Sequence, residues 1–271
     1  LMIAVIVPIY NTEKYLRETI DSVICQTLSF AEHIRLILLD DASTDGSFAI
    51  CEQYQKQYPK QIVVKHYDTN QGVSALRNEG VRIAGEMGDE LITFLDSDDK
   101  LADDAMEKAV QYFDAHEDVF VAAIGIRYFD AYEGEQRLNW RFEKTDVVDI
   151  KKDYTYPHYY VGGVFLRHAV LDELHFDESL SFWEDALAVN QVIVSQGKYG
   201  LIAGTHYYYR KREDESSLVD TAWHKKERYT TLLSSGYGQL FAYSRKKHHR
   251  IIPYVQYMVA YHMLSLIHIS E

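Results

Sequence analysis

Residues 91–99 read LITFLDSDD: an apolar run interrupted only by Thr93, then Asp96, Ser97, Asp98 and Asp99. A short apolar stretch that ends abruptly in turn-forming acids is the pattern of a buried strand whose carboxyl end meets solvent. Extended side chains alternate with period two, so Asp96 and Asp98 fall on the same side of the chain. Working outward, residues 3–7, 34–39, 62–64 and 119–126 form comparable apolar runs. Helical faces lie between them. Leu16, Ile20, Val23 and Ile24 share one face, Phe48, Cys51, Tyr54 and Tyr58 a second, and further helices are expected over 73–84 and 103–116. Strand and helix in alternation predict an α/β, doubly wound, mostly parallel sheet, in which ligands sit beyond the carboxyl ends of the strands.

That rule selects the polar residues following the strands, at 8–11, 40–47 and 96–99, and makes one rim strongly acidic. The composition is ordinary for a globular protein, with 47% hydrophobic and 25% charged residues among 271, which excludes disorder and coiled coil. Twenty-eight basic against 41 acidic side chains give a net charge of −13, which disfavours nucleic acid as a partner. A phosphorylated ligand must therefore be met locally. Cys25 and Cys51 stand apart from any metal-ligand spacing and read as reduced, buried side chains, with a cytoplasmic setting expected. The opening LMIAVIVP is too short and too weakly basic for a signal peptide, and Pro253 and Gln256 spoil residues 251–267 as a membrane span.

Beyond residue 127 the pattern is less regular and rich in tyrosine. Tyr154, Tyr156, Tyr159 and Tyr160 precede Gly162–Gly163 and a strand-like run at 164–166, and Glu184–Asp185 open an apolar helix. A strand at 201–203 leads into THYYYR and a charged segment at 210–215. The tail from 225 carries the basic cluster 245–250, read as the solvated end of a packed helix or as a membrane-surface contact. The final LSLIHISE reads as non-native, with a longer natural chain expected.

Several of these residues admit two roles. Asp96 and Asp98 suit a hard divalent cation, which takes one or two carboxylates and completes its shell with water and phosphate; the same cluster also makes an Asx turn and helix cap. One carboxylate of Asp40–Asp41 can accept from the imide N–H of uracil. Asp45–Gly46–Ser47 reads as turn and cap. Arg77 pairs either with a phosphate or with the acidic rim.

Five blocks in order, VIVPIYN (5–11), LLDDASTDGS (38–47), NQGVSALRNEG (70–80), FLDSDD (94–99) and FWEDAL (182–187), resemble the family 2 inverting glycosyltransferases with the GT-A fold. The resemblance implies a nucleotide-binding half (1–126), an acceptor half (127–224) and a helical C-terminal tail (225–271). It implies that Pro8, Tyr10 and Asp41 hold the base and that Arg77 lies near base or diphosphate. Asp98 would coordinate Mn²⁺ or Mg²⁺, with Asp96 on the ribose or the metal's water and Asp99 beside them. Asp185 would be the general base and Glu184 a contact to donor or acceptor sugar. The donor expected is a UDP-sugar, and the acceptor a glycan, cell-envelope polymer or lipid-linked hydroxyl. On the acceptor side Trp183, Tyr156, Tyr159 and Tyr160 form either a sugar platform or a core wall, and Gly162–Gly163 either a close approach or a bulge. Tyr209, Arg210, Ser216 and Ser217 either match a segment that closes over the diphosphate or acceptor in related enzymes or belong to a hairpin with an exposed charged tip at 210–215, and His206 is a metal ligand or structural. An aspartyl-phosphate phosphatase would want Thr or Val at position 99 and its motif nearer the start. A sugar-nucleotide pyrophosphorylase would want a glycine-rich loop where PIYNTEKYL stands. A module that has lost catalysis would have lost one of Asp41, Asp96, Asp98, Glu184 or Asp185.

Overall fold

The computed structural model of the chain describes residues 1–212 and 230–268. The first half runs β1 (Ile3–Ile9), α1 (Glu13–Ile24), α2 (Phe30–His33), β2 (Ile34–Asp40), α3 (Ser47–Gln57), β3 (Ile62–His66), α4 (Val73–Met87) and β4 (Leu91–Phe94). It continues with β5 (Lys100–Leu101), α5 (Ala105–Ala115), β6 (Val121–Asp130), β7 (Gly134–Glu135), β8 (Val147–Asp149), β9 (Val164–Arg167), α6 (Glu184–Gln196) and β10 (Lys198–Lys211). A π-helical stretch (Leu232–Tyr237), α7 (Gly238–His248) and α8 (Pro253–His268) close the described chain.

One sheet runs β3-β2-β1-β4-β9-β6-β10-β5, with β7 on β6 and β8 on β10. The first four strands are parallel, as the alternation of elements predicted. β9 then enters antiparallel to both β4 and β6, and β6 and β10 resume parallel pairing, so the whole sheet is mixed. Both faces are covered, which is why β1 is apolar at every position rather than alternating. Its odd residues Ile3, Val5 and Val7 pack with Leu16, Ile20 and Val23 of α1 and with Met106 and Phe113 of α5. Ala4 and Ile6 face the other way, into a core with Leu76 of α4, Leu187 and Val189 of α6, Leu240 of α7 and Tyr254 of α8.

One feature departs from expectation. Cys51 is buried, but Cys25 is exposed, because α1 turns its Leu16–Ile20–Val23 stripe inward and ends at residue 24. The basic cluster is the last turn of α7 and the turn after it. There His248 Nε2 lies 2.9 Å from the Val194 carbonyl and Lys247 donates to Ser195 Oγ at 2.9 Å, while Arg245, Lys246, His249 and Arg250 are exposed. Among the described residues no helix is long and apolar enough to cross a membrane.

α4 is seated on β1 at Gly80, where a Cβ would run into Ile6 Cγ2. Gly80→Ala is therefore expected to lower stability by about 1–3 kcal/mol through overpacking, despite the better helix propensity of alanine. Urea unfolding checks it; a more stable variant would show that α4 does not bear on β1 at this point.

Candidate active site

The carboxyl ends of β1, β2 and β4 lie along one edge because these strands are parallel. Pro8 is buried within β1, and the chain then turns through the half-exposed Tyr10 to Asn11, whose φ of 52° is left-handed. Asn11 keeps that conformation by donating its N–H to Ser43 Oγ (3.0 Å) and accepting from the Thr44 N–H (2.8 Å). Asp41, 3% exposed, accepts from the backbone N–H groups of Gln71 (2.6 Å) and Gly72 (2.9 Å), so one carboxylate staples the loop that opens α4. Ala42 after it is also left-handed, at φ 60°. Asp40 is withdrawn to the side, with its Oδ2 2.7 Å from His66 Nδ1. Asp45 accepts from the Ser47 N–H at 2.9 Å, an Asx turn leading into α3, whose N-cap position is Gly46.

The three acids after β4 divide their roles. Asp99 is buried and structural in its contacts: it accepts from the Tyr207 hydroxyl (2.7 Å) and from the Arg210 backbone N–H (2.7 Å). The same Tyr207 oxygen accepts from the Asp96 N–H at 3.1 Å. Burial first, then the neighbouring Asp98 and Asp96, hold the Asp99 carboxyl well above the usual carboxylate range. Asp98 is also raised by burial, against the opposing pull of Arg212, which approaches its Oδ2 through Nε (3.1 Å) and Nη2 (2.5 Å). Asp96 is the most open of the three and accepts from Arg77 Nη2 at 3.1 Å.

Arg77 joins this edge to the far half. Only 5% exposed, it donates its other terminal nitrogen to Glu184 Oε1 at 3.0 Å. Burial opposes the guanidinium charge, but Asp96, Glu184 and Asp185 outweigh it and hold the group above its ordinary range. Glu184 and Asp185 form the first turn of α6, where acids are favoured by the helix dipole. They are aimed by Trp183, whose φ of 69° places a bulky residue in the left-handed region. Burial, then the adjacent Glu184 charge, push Asp185 up to about 7, with Arg77 acting in the opposite sense.

The acceptor-side candidates are less open than an aromatic platform requires. Trp183 is 4% exposed, packs edge-to-face on Tyr237 at 4.9 Å and lies 5.8 Å from the His262 ring; its indole N–H finds no acceptor among the described residues. The Tyr160 hydroxyl accepts from Arg141, the Tyr159 hydroxyl donates to the Met258 carbonyl, and Tyr156 lies against Trp140. These rings serve as wall. Gly163 has φ 69° and a Cβ there would meet Ile124 and Tyr207, so it is a close approach of backbone to core. Arg210 braces the site rather than lining it: its Nε donates to the Asp98 carbonyl at 2.7 Å, its terminal nitrogens reach Asp130 and Glu18, and its plane lies over Tyr15 and Phe129. Tyr209 lies beside Tyr128, and His206 lines a separate cleft of about 200 Å³ with Glu135 and Glu143. Ser216 and Ser217 lie outside the described residues.

Sequence reasoning passed over Tyr207, Arg212, Tyr237 and His262. Tyr207 sits in the YYY run, and only the pairing of β10 with β5 shows which of the three tyrosines reaches Asp99. Among the described residues no group of three or more His, Cys, Asp or Glu is placed to hold a metal ion. Asp96 and Asp98 nonetheless suit Mn²⁺ or Mg²⁺: both are oxygen donors, and Asp98 already carries a cationic stand-in, the Arg212 guanidinium.

The Glycosyl transferase family 2 model matches residues 4–175, and the chain belongs to that family. Its architecture is the GT-A fold. The S. aureus TarS fragment 1–349, solved with UDP-GlcNAc, superposes with a TM-score of 0.74 at 23% identity, covering 92% of this chain and 68% of that one. The mannosyltransferase PcManGT from Pyrobaculum calidifontis, solved with GDP-Man and Mn²⁺, gives a TM-score of 0.65 at 18% identity over 95% of this chain and 68% of the other. In sequence, the minor teichoic acid biosynthesis protein GgaA of Bacillus subtilis (strain 168) is 42% identical over 264 residues, 97% of this chain and 59% of that protein. The chain thus spans less than two thirds of that relative's length.

Removing one member of a buried ion network leaves the others uncompensated. Arg77→Met is expected to cost about 3 kcal/mol in urea unfolding and to raise the ionisation of Asp185 further, since Arg77 acts to lower it. Unchanged stability would show that the bridge contributes nothing net.

Proposed function

We propose that this chain moves a sugar from a UDP-sugar to a hydroxyl of a teichoic-acid-like cell-envelope polymer, inverting the anomeric carbon. The observation that carries this reading is the Arg77 bridge, which draws Asp96 at the end of β4 and Glu184–Asp185 at the start of α6 to one rim. The UDP-GlcNAc bound to TarS supports the donor class, and the role named for GgaA supports the acceptor class.

In this reading residues 1–126 serve the nucleotide sugar, 127–224 the acceptor, and 225–271 are the tail, helical over Gly238–His248 and Pro253–His268. Tyr10 offers an exposed ring to the base. Asp41 spends two of its roughly four lone-pair sites on Gln71 and Gly72 and keeps capacity for an imide N–H. Asp98 and Asp96 hold Mn²⁺ or Mg²⁺, which when bound stabilises the charge growing on the departing diphosphate; the Mn²⁺ in PcManGT supports this. Asp185 takes the proton of the acceptor hydroxyl as that oxygen attacks C1 from the face opposite the diphosphate. The C1–O bond breaks and its electron pair leaves with the diphosphate. A base with an ionisation near 7 is matched to this task at neutral pH, and a separate acid of the glycosidase kind is not required. Glu184, pinned by Arg77, faces the sugars, and Trp183, Tyr160 and Gly163 form the wall behind them. The work is placed at the cytoplasmic membrane face, with the exposed cations of 245–250 as the peripheral contact.

Asp185→Asn is expected to leave UDP affinity intact and to cut turnover by about 10²–10⁴-fold, whereas Asp98→Asn weakens metal-dependent UDP binding. Calorimetry with UDP, with and without Mn²⁺, and single-turnover assays separate the two; equal loss of nucleotide affinity in both variants overturns the division of roles. Because the Asp185 ionisation is raised, the carboxylate is protonated below about 7. kcat/KM is expected to fall about tenfold per pH unit below that value and to level off above it. A flat profile from pH 5 to 8 rules out Asp185 as the titrating base.

A further inference from the structure

The Asp98 carboxylate is already held by a cation of the chain's own. Arg212 Nε and Nη2 both address the single oxygen Oδ2, at 3.1 and 2.5 Å, and the two side chains are 20% and 19% exposed. The neighbouring Asp96 is held differently. Its partner Arg77 is buried in α4 and anchored at its other end by Glu184, whereas Arg212 stands one residue past the end of β10. The Arg212 guanidinium also lies 5.1 Å from the ring centre of Tyr15, a ring that the Arg210 guanidinium approaches at 4.7 Å.

Two guanidinium N–H groups fill the two lone-pair sites of Asp98 Oδ2, so a divalent ion at about 2.0–2.2 Å from that oxygen must displace them, and against an unmoved Arg212 the two cations would repel at a few ångströms in a part-buried setting. We propose that Arg212 is the resident counter-ion of Asp98 and is exchanged for the divalent cation, so that metal binding at this site is a displacement of one positive charge by another. This rests on the metal-dependent reading above and adds to it a residue that tunes metal affinity. While Arg212 occupies Asp98 the site is closed to metal, and the apparent affinity falls by the fraction of molecules in which it is free. A site closed in about nine molecules of ten binds metal about tenfold more weakly than the same site without the competitor.

The test is a Mn²⁺ titration of the full chain without nucleotide, followed by the electron paramagnetic resonance signal of free Mn²⁺. Wild type is compared with Arg212→Met, Arg212→Lys and Arg212→Met/Asp98→Asn. Arg212→Met is expected to bind Mn²⁺ about tenfold more tightly, Arg212→Lys to stay near wild type, and the double variant to lose the gain. The double variant separates a gain at Asp98 from Mn²⁺ taken up by other carboxylates of this acidic chain. Wild-type binding with no gain in Arg212→Met overturns the exchange and leaves the metal reading standing. A gain that survives in the double variant places the ion elsewhere and also overturns the exchange. No Mn²⁺ binding by either wild type or Arg212→Met overturns both.

Discussion

The buried guanidinium of Arg77 is the constraint on which the rest of this site depends. It spans two carboxylates, Asp96 at the end of a parallel strand and Glu184 at the start of a helix, that lie far apart in the chain and belong to different halves of the fold. A charge withdrawn from solvent to this extent is tolerable only with such partners, so the ion network and the approach of the halves require each other. The network also sets the chemistry. Arg77 opposes the burial and the Glu184 charge that raise Asp185, and so bears directly on where that carboxylate changes its ionisation.

Left-handed backbone gathers around this rim, although Asp130 and His249 adopt it elsewhere. Asn11, Ala42 and Trp183 are left-handed without being glycine, and they follow Tyr10, follow Asp41 and precede Glu184 respectively. Asn11 is held by Ser43 and Thr44, and Trp183 is clamped by Tyr237 and the His262 ring. Below the rim, Asp99 gives up any open role to accept from Tyr207 and the Arg210 backbone, and Arg210 then supports the Asp98 carbonyl. Three consecutive-looking acids thus become one brace, one carboxylate with a resident cation, and one partner of the bridge.

The first half was legible because its signals are local. Strand runs with both faces covered are apolar throughout, amphipathic helices repeat at three and four residues, and turn acids mark the carboxyl ends; the observed β1 to β4, α1 and α3 to α5 follow those signals closely, while the four-residue α2 is too short to show a periodicity. The second half was less so. The antiparallel entry of β9 between β4 and β6, and the reach of β10 to fourteen residues, depend on pairings between distant segments that no local pattern announces. The misplacement of Cys25 has the same origin, since a residue just past a helix takes its exposure from what packs over it rather than from its own periodicity.

The acidic rim, the order of its motifs and the family they belong to were set by the sequence alone, because residue type and strand alternation already fix which carboxylates share an edge. What each of those residues does to its neighbours was decided by tertiary structure. Trp183 became a buried clamp and Arg210 a brace, and Tyr207 and Arg212 entered the site unannounced, because a side chain's partners across the sheet are chosen by which strands pair. Ionisation follows the same rule: Asp185 is displaced from an ordinary carboxylate by burial and by Glu184, quantities that exist only once the halves have closed around Arg77.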